Sequence, residues 1–280
     1  MTLSSLINKL QQEADNERSF EDTFLKRFYE GILAVNKKER EGYTPSNYYK
    51  PSSIWGCERM MFFQRLGEEQ DEPDIEDEWT YQGIRMMDSG TDTHRRLQKV
   101  FQKMVELDPE MQILDIEELV QDARHAGRKT EFIGYDEERL EAKCRNEDLF
   151  ISFQADGAFR FMGKEVIAEI KTTNIYTFNK IKQGAIPREH RIQASCYGYA
   201  LNVDYVLFIY EDRNFCQHHI ELMKVNPQDI NILKNKVEQV EQMVKDRIPP
   251  EKNTAGKNCT YCNYKTLCEK VERGEYKPRE

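Results

Sequence analysis

Charged side chains interrupt an apolar stretch, residues 166–172, near the middle of the sequence. Glu169 and Lys171 stand two residues apart in it, so their side chains point to the same face of a strand. Asp156 ends the preceding predicted strand, one hairpin earlier. Charged groups are rarely placed at the centre of an apolar strand unless they are paired or bound to a metal. A simple salt bridge on a half-exposed sheet would also explain this pair.

Two carboxylates and a lysine on neighbouring strands could support the metal-dependent hydrolysis of a phosphodiester. Asp156 and Glu169 supply the hard oxygen ligands that Mg²⁺ or Mn²⁺ prefers, and the carbonyl of Ile170 could add one more. Such a cation polarises the phosphodiester and lowers the pKa of a bound water. Lys171 could orient that water or neutralise the charge that develops on the phosphate.

Three cysteines near the C-terminus have the spacing C-x2-C-x5-C, at Cys259, Cys262 and Cys268. Thiolates at this spacing can wrap one metal centre because the chain between them is short and flexible. They leave a fourth ligand position open, and Cys57, far upstream, is the obvious supplier. The spacing alone is compatible with zinc and with a cubane iron–sulfur cluster, although zinc sites more often pair two C-x2-C units.

The elements that must position these residues are predicted from apolar periodicity and from turn signals. Helices are predicted over residues 20–36, 51–66, 81–107, 175–183, 188–201 and 227–244. Strands are predicted over residues 113–120, 149–154, 158–162, 165–172, 205–210 and 216–223. Cys57 would lie inside the second helix, and the third would be interrupted near Gly90. Strands followed by helices, after a helical N-terminal region, indicate an α/β core with added helices.

Length and composition restrict the class of protein. The chain has 280 residues, with 39% hydrophobic and 32% charged residues, and no apolar run is long enough to span a membrane. A cytoplasmic protein is expected, because the first twenty residues lack the apolar core of a signal peptide. The net charge of -9 argues against a nonspecific coat of nucleic acid, so phosphate binding would need a local basic patch or bound cations.

The order of Asp156, a hairpin and Glu169-Ile170-Lys171 resembles the PD-(D/E)XK nucleases. The usual proline before the aspartate is Ala155 here, which removes no ligand. The segment that ends in His94 resembles the upstream histidine motif of the RecB-like branch. Gln193 and Tyr197 resemble its downstream Q-x-x-x-Y motif, in which the two side chains share a helix face.

This resemblance implies a mixed central sheet flanked by helices, with His94 as a further metal ligand beside Asp156, Glu169 and Ile170. It also implies that Gln193 and Tyr197 hold the lysine, the metal site or the DNA strand in place. Without the resemblance, His94 is one of five histidines in the chain, and Tyr197 could simply pack its helix on the sheet.

One upstream cysteine, Cys57, followed by the C-terminal trio at Cys259, Cys262 and Cys268, resembles the iron–sulfur RecB-like nucleases. These include the AddB nuclease domain and the CRISPR-associated iron–sulfur exonucleases. The resemblance implies a [4Fe-4S] cluster that joins the two ends of the chain, with zinc as the less favoured occupant. It covers about three quarters of the sequence, and the first fifty residues match no family.

Three regions follow from this reading: residues 1–80 as a helical region that contributes one cysteine, 81–248 as the RecB-like core and 249–280 as the cluster-binding segment, packed as one globular unit. The expected function is a Mg²⁺- or Mn²⁺-dependent deoxyribonuclease, an exonuclease on single strands or DNA ends, in phage or prokaryotic recombination, replication or CRISPR adaptation. The alternative is an inactive DNA-binding or interaction module held by a cluster or zinc.

The sequence contains no G-x-x-x-x-G-K-[ST] phosphate loop, so a motor would have to be a separate protein. The expected partners are therefore DNA and a separate helicase, recombinase or annealing protein, with no membrane. An oligomer is compatible with the sequence, and a phage-encoded protein would act in the host cytoplasm.

Overall fold

The structure of the protein is a computed structural model that describes residues 3–39, 46–53, 56–71, 78–136, 141–252, 259 and 262–279. It separates into two units, a smaller one of residues 1–44 and 72–87 and a larger one of residues 45–71 and 88–280. Every candidate site residue belongs to the larger unit. The division into three regions at residues 80 and 248 stays a prediction.

The described residues form eight α-helices and eight strands. The helices are α1 (Leu3–Glu39), α2 (Glu58–Arg65), α3 (Glu78–Leu107), α4 (Ile116–His125), α5 (Ile175–Ile181), α6 (Arg188–Leu201), α7 (Pro227–Asp246) and α8 (Lys265–Glu272). The strands are β1 (Gln112–Ile113), β2 (Thr130–Asp136), β3 (Glu141–Asn146), β4 (Ile151–Ala155), β5 (Gly157–Phe161), β6 (Lys164–Thr173), β7 (Tyr205–Asp212) and β8 (His218–Lys224).

The central sheet has five strands in the order β1, β5, β6, β7 and β8. Strands β6 and β7 are parallel, and the other neighbouring pairs are antiparallel. Parallel neighbours need a crossover connection, which α5 and α6 provide here. Strands β2, β3 and β4 form a second, antiparallel sheet. The expected α/β class, with a mixed central sheet and helices, is confirmed.

The two faces of β6 belong to different apolar clusters. Ala168 and Ile170 share one cluster with Leu97 and Phe101 of α3. Ile167, on the opposite face, belongs to a larger cluster that includes buried residues of α6 and α7. Because side chains alternate along a strand, Glu169 and Lys171 lie on the face of Ile167, toward α6.

The smaller unit consists of α1 and the beginning of α3. Tyr29 of α1 stacks on Tyr81 of α3, with ring centroids 4.2 Å apart. Phe20 and Phe24 also stack, with ring centroids 6.3 Å apart, and both are exposed. Although α1 has 37 residues, no helix in the described part of the chain combines the length and apolarity needed to cross a bilayer.

The predicted strand at residues 113–120 is wrong, because most of this segment forms α4. Asp115 caps the helix and accepts a hydrogen bond from the backbone N–H of Glu117 at 2.8 Å. The buried residues Ile116, Leu119, Val120 and Ala123 recur at helical spacing. The cap and this amphipathic spacing outweigh the strand propensity of the branched side chains.

Two helix predictions also need correction. The segment predicted as one helix over residues 51–66 forms a short 3-10 helix, Pro51–Ser53, and then α2. Cys57 is the N-cap of α2 and does not lie inside a helix. No interruption occurs at Gly90, because α3 continues through it. The segment after residue 187 forms α6 with the predicted bounds.

Candidate active site

Asp156 lies at the junction of β4 and β5 and is only 6% exposed. Its Oδ2 accepts a hydrogen bond from the backbone N–H of Ile170 at 2.6 Å, and its Oδ1 lies 2.9 Å from Nδ1 of His94. The side-chain amide of Gln98, on α3, donates to the backbone carbonyl of Asp156 at 3.1 Å. Contacts from β6 and α3 therefore fix both the carboxylate and the backbone of this residue.

The backbone N–H of Ile170 faces Asp156. The N–H and C=O of one residue point to the same edge of a strand, and the N–H of Ile170 donates to Asp156. The carbonyl of Ile170 consequently points toward the edge of β6 on which Asp156 lies. This direction is compatible with the Ile170 carbonyl as a metal ligand, the role that the sequence predicts for it.

Glu169 and Lys171 project from the same face of β6, as the spacing predicts. Nζ of Lys171 lies 2.7 Å from Oε1 of Glu169, which is 3% exposed. Burial raises the pKa of the Glu169 carboxyl above its ordinary value, the charge of Lys171 opposes this increase, and the charge of Asp156 adds to it. A cation near Glu169 would therefore favour its ionised form.

Gln193 and Tyr197 reach this pair from α6. Oε1 of Gln193 accepts a hydrogen bond from Lys171 at 2.9 Å, and its Nε2 donates to Glu169 at 2.7 Å and to the Tyr197 hydroxyl at 3.0 Å. The four-residue spacing places both side chains on one face of the helix. The two residues thus orient the carboxylate and the ammonium of β6.

The C-terminal part of α6 packs closely against the segments just before β7 and just after β8. A Cβ atom on Gly198 would lie 2.2 Å from Cγ2 of Val225 and 2.7 Å from the carbonyl oxygen of Val203. The absence of a side chain at Gly198 therefore allows this part of α6 to lie against Val203 and Val225. The helix ends at Asn202, which adopts a left-handed conformation.

His94, on α3, completes the group from the other side. Its Nδ1 lies 2.9 Å from Asp156 and 3.5 Å from Oε1 of Glu141. Burial alone would lower the pKa of His94, but hydrogen bonds to Asp156 and Glu141 and the charges of Asp156 and Glu169 raise it to about 10. One ligand atom each from His94, Glu141 and Asp156 lie within 4.8 Å of one another, so the three could hold a metal ion.

Glu141 was missed in the sequence. It begins β3, and the pairing of Ala142 with Ala155 places it beside Asp156 on the neighbouring strand. The hairpin of β2 and β3 was not predicted, because β3 is short and rich in charged residues. The available signal was a strand-like alternation in which Ala142 and Cys144 are buried.

His190 was also missed, although it lies on α6 one turn before Gln193. Its Nδ1 is 3.1 Å from the hydroxyl of the buried Tyr210, which is the neighbour of Lys171 on β7. Burial and the charge of Lys171 lower the pKa of His190 to about 3, so its imidazole is neutral at pH 7. His190 therefore adds a neutral polar group near Lys171.

The four cysteines singled out in the sequence line one cavity of about 230 Å³. Cys57 comes from the N-cap of α2, and Cys259, Cys262 and Cys268 come from the C-terminal segment. The guanidinium of Arg59, which is 3% exposed, donates to Sγ of Cys268 at 3.2 Å. Distant parts of the chain thus meet at a thiol cluster, and the other three cysteines lie outside this cavity.

The thiols influence one another electrostatically. Burial is the main cause that raises the pKa of Cys262, and the charges of Cys57, Cys259 and Cys268 add to it. Four thiolates would repel one another in this cavity unless a cation or a cationic cluster lay between them. The donor set therefore suits a metal centre.

No family model and no curated protein matches this chain. Among solved structures, it is similar to the crystal structure of SSO0001, with 14% identity, 85% of this chain and 95% of that chain covered, and a TM-score of 0.47. It is also similar to an alkaline exonuclease (LHK-Exo) from Laribacter hongkongensis, with 14% identity, 72% and 90% covered, and a TM-score of 0.41. The structure of LHK-Exo in complex with dAMP gives 14% identity, 72% and 89% covered, and a TM-score of 0.41.

Proposed function

We propose that this protein is a Mg²⁺- or Mn²⁺-dependent DNA nuclease of the PD-(D/E)XK type that hydrolyses phosphodiester bonds, as an exonuclease on single strands or DNA ends. The observation that carries the proposal is the convergence of Asp156 and His94 with Glu169 and Lys171, which share a strand face. Buried carboxylates beside an imidazole can bind a divalent cation, and the nearby ammonium can neutralise charge on the phosphate.

Each side chain has a role in this proposal. His94, Asp156, Glu169 and the Ile170 carbonyl would hold the divalent cation, which supplies positive charge to the phosphate and activates water. Lys171 would orient the attacking water and neutralise charge on the phosphate in the transition state. Its side chain is 19% exposed, so Lys171 is less enclosed than Glu169.

Gln193 and Tyr197 act through Lys171 and Glu169. The Gln193 amide bonds to both charged groups, so it keeps the ammonium beside the carboxylate before a substrate enters. The Tyr197 hydroxyl accepts from the same amide and fixes its orientation. Preorganised donors of this kind lower the reorganisation that accompanies catalysis.

We also propose that a [4Fe-4S] cluster is held by Cys57, Cys259, Cys262 and Cys268. The cluster would join α2 to the C-terminal segment. Among the described residues, no three of these sulfurs lie within 4.8 Å of one another. Thiolates on one tetrahedral zinc ion lie about 3.8 Å apart, since each Zn–S bond is about 2.3 Å. A cubane carries each thiolate on a different iron, so it holds the sulfurs farther apart than one zinc ion does.

An inactive DNA-binding or interaction module is the second candidate. It is favoured by the closed arrangement of Glu169, Lys171 and Gln193, whose hydrogen bonds already satisfy one another without a ligand. We favour the nuclease because Asp156 and His94 add a second charged group beside this arrangement. A separate helicase, recombinase or annealing protein as partner, and action in the cytoplasm, also remain proposals.

The test starts with anaerobic purification and an absorption spectrum. End-labelled single-stranded DNA is then digested with Mn²⁺ or with EDTA. The proposal predicts brown protein and cleavage only with the metal, and Asp156→Asn and Glu169→Gln should abolish cleavage without unfolding the chain. Glu165→Gln, a matched change at the more exposed beginning of β6, should retain activity. Colourless, zinc-containing protein without cleavage would support the binding module.

A further inference from the structure

Glu141 is a buried carboxylate that the proposed mechanism does not use. It is 7% exposed, it lies beside Asp156 on the neighbouring strand, and its carboxylate faces Nδ1 of His94 at 3.5 Å. A buried carboxylate is costly unless it is paired or binds a cation. The contact with His94 is longer than the 2.9 Å contact between His94 and Asp156, so it compensates this burial only in part.

The ligand atoms around His94 form a compact group that excludes Glu169. Within the described residues, the set of at least three ligand side chains that fits within 4.8 Å is His94, Glu141 and Asp156. Glu169 is instead bonded to Lys171 and Gln193. The carboxylate closest to the histidine, apart from Asp156, is therefore Glu141.

We propose that Glu141 is a direct ligand of the active-site cation and that His94, Glu141 and Asp156 form a cation position that can be filled without Glu169. This inference rests on the proposed function, since it deepens the assignment of that metal site. The position offers one nitrogen and at least two oxygen atoms. Imidazole is a better ligand for transition metals than for Mg²⁺, so the position binds Mn²⁺ in preference to Mg²⁺.

The competing role for Glu141 is to form an ion pair with protonated His94, and the two roles predict opposite effects. If Glu141 is a ligand, Glu141→Gln removes one bond to the cation and weakens binding. If Glu141 only holds the proton on His94, the same change makes that proton easier to displace, so Mn²⁺ binding stays the same or becomes tighter. The sign of the change separates the two roles.

The experiment measures Mn²⁺ binding to the purified protein without DNA, by titration calorimetry and by the loss of the free Mn²⁺ signal in electron paramagnetic resonance. We expect Glu141→Gln to weaken binding by about tenfold or more, because a neutral amide replaces a charged oxygen ligand of the cation. Glu169→Gln should retain a Mn²⁺ site. Glu147→Gln, an exposed change just beyond the same strand, is the matched control.

The outcomes also separate this inference from the proposed function. Unchanged or tighter Mn²⁺ binding by folded Glu141→Gln, with a thermal transition like that of the wild type, would overturn the inference and leave the nuclease proposal intact. Weaker binding by Glu141→Gln, together with a wild-type protein that binds Mn²⁺ but never cleaves DNA, would support the inference and overturn the nuclease. If Glu141→Gln unfolds, Glu141→Asp decides, since its shorter carboxylate should still weaken binding in a folded chain.

Discussion

The pH dependence of Mn²⁺ binding follows from the proton on His94. Against the effect of burial, hydrogen bonds to Asp156 and Glu141 and the charges of Asp156 and Glu169 raise the pKa of this residue to about 10, so the imidazole is protonated at neutral pH. A cation binds only neutral imidazole, so binding must displace that proton. Affinity should consequently rise with pH, and the increase should continue until the pH approaches the raised pKa.

The size of the effect follows from linkage. Displacement of one full proton makes binding about tenfold tighter for each pH unit, hence about 100-fold between pH 6 and pH 8. A histidine with the ordinary pKa of about 6.5 is already largely neutral at pH 8, so the same interval would give only about a fourfold gain. The raised pKa of Glu169 acts in the same direction, because its carboxyl also loses a proton to the cation.

Titration calorimetry in buffers of different ionisation enthalpy measures both the affinity and the protons released. We expect about one proton or more to be released at pH 7 in the wild type. His94→Gln should lose most of the pH dependence, and His125→Gln, an exposed change at the end of α4, should keep it. A wild-type gain near fourfold, or an unchanged slope in His94→Gln, would refute the reasoning.

Four further substitutions test other parts of the structure. In thermal unfolding, Gly198→Ala should lower the free energy of unfolding by about 1–3 kcal/mol, because its Cβ would lie 2.2 Å from Val225. The control Gly90→Ala, in open space on α3, should raise the free energy of unfolding by about 0.5–1 kcal/mol. Arg59→Gln should weaken the thiol site and bleach its visible absorption faster under a chelator, because the hydrogen bond to Cys268 is lost; an unchanged bleaching rate would contradict this. Cys268→Ser should reduce both the visible absorption and the yield of folded protein, and a brown, fully folded variant would exclude this cysteine as a ligand.

The elements that carry the candidate site residues could be predicted because their signals are local. The alternation along β6 fixes a shared face for Glu169 and Lys171, and the four-residue spacing does the same for Gln193 and Tyr197 on α6. Each pattern lies within a single strand or a single helix. The hydrogen bonds of Gln193 to Lys171 and Glu169 then join the two elements in the structure.

The rest of the site depends on contacts between distant segments. His94 meets Asp156 across 62 positions of the sequence, so only a family resemblance could associate them before the structure was known. Glu141 belongs to no motif, and its position follows from the register of β3 on β4. Sequence periodicity does not encode such register when the strand is short and charged.

The charges of the active site explain why these groups tolerate burial together. Glu141, Asp156 and Glu169 bring three carboxylates, and the ammonium of Lys171 balances one of them. Two negative charges remain, which is the charge that one divalent cation neutralises. In the protein without a cation, the proton on His94 compensates one of these charges. The raised pKa of Glu169 favours the protonated form of its carboxyl, which reduces the other negative charge. Cation binding is therefore linked to proton release, because both compensate the same negative charges. Removal of any one carboxylate should reduce both the affinity for the cation and the number of protons released.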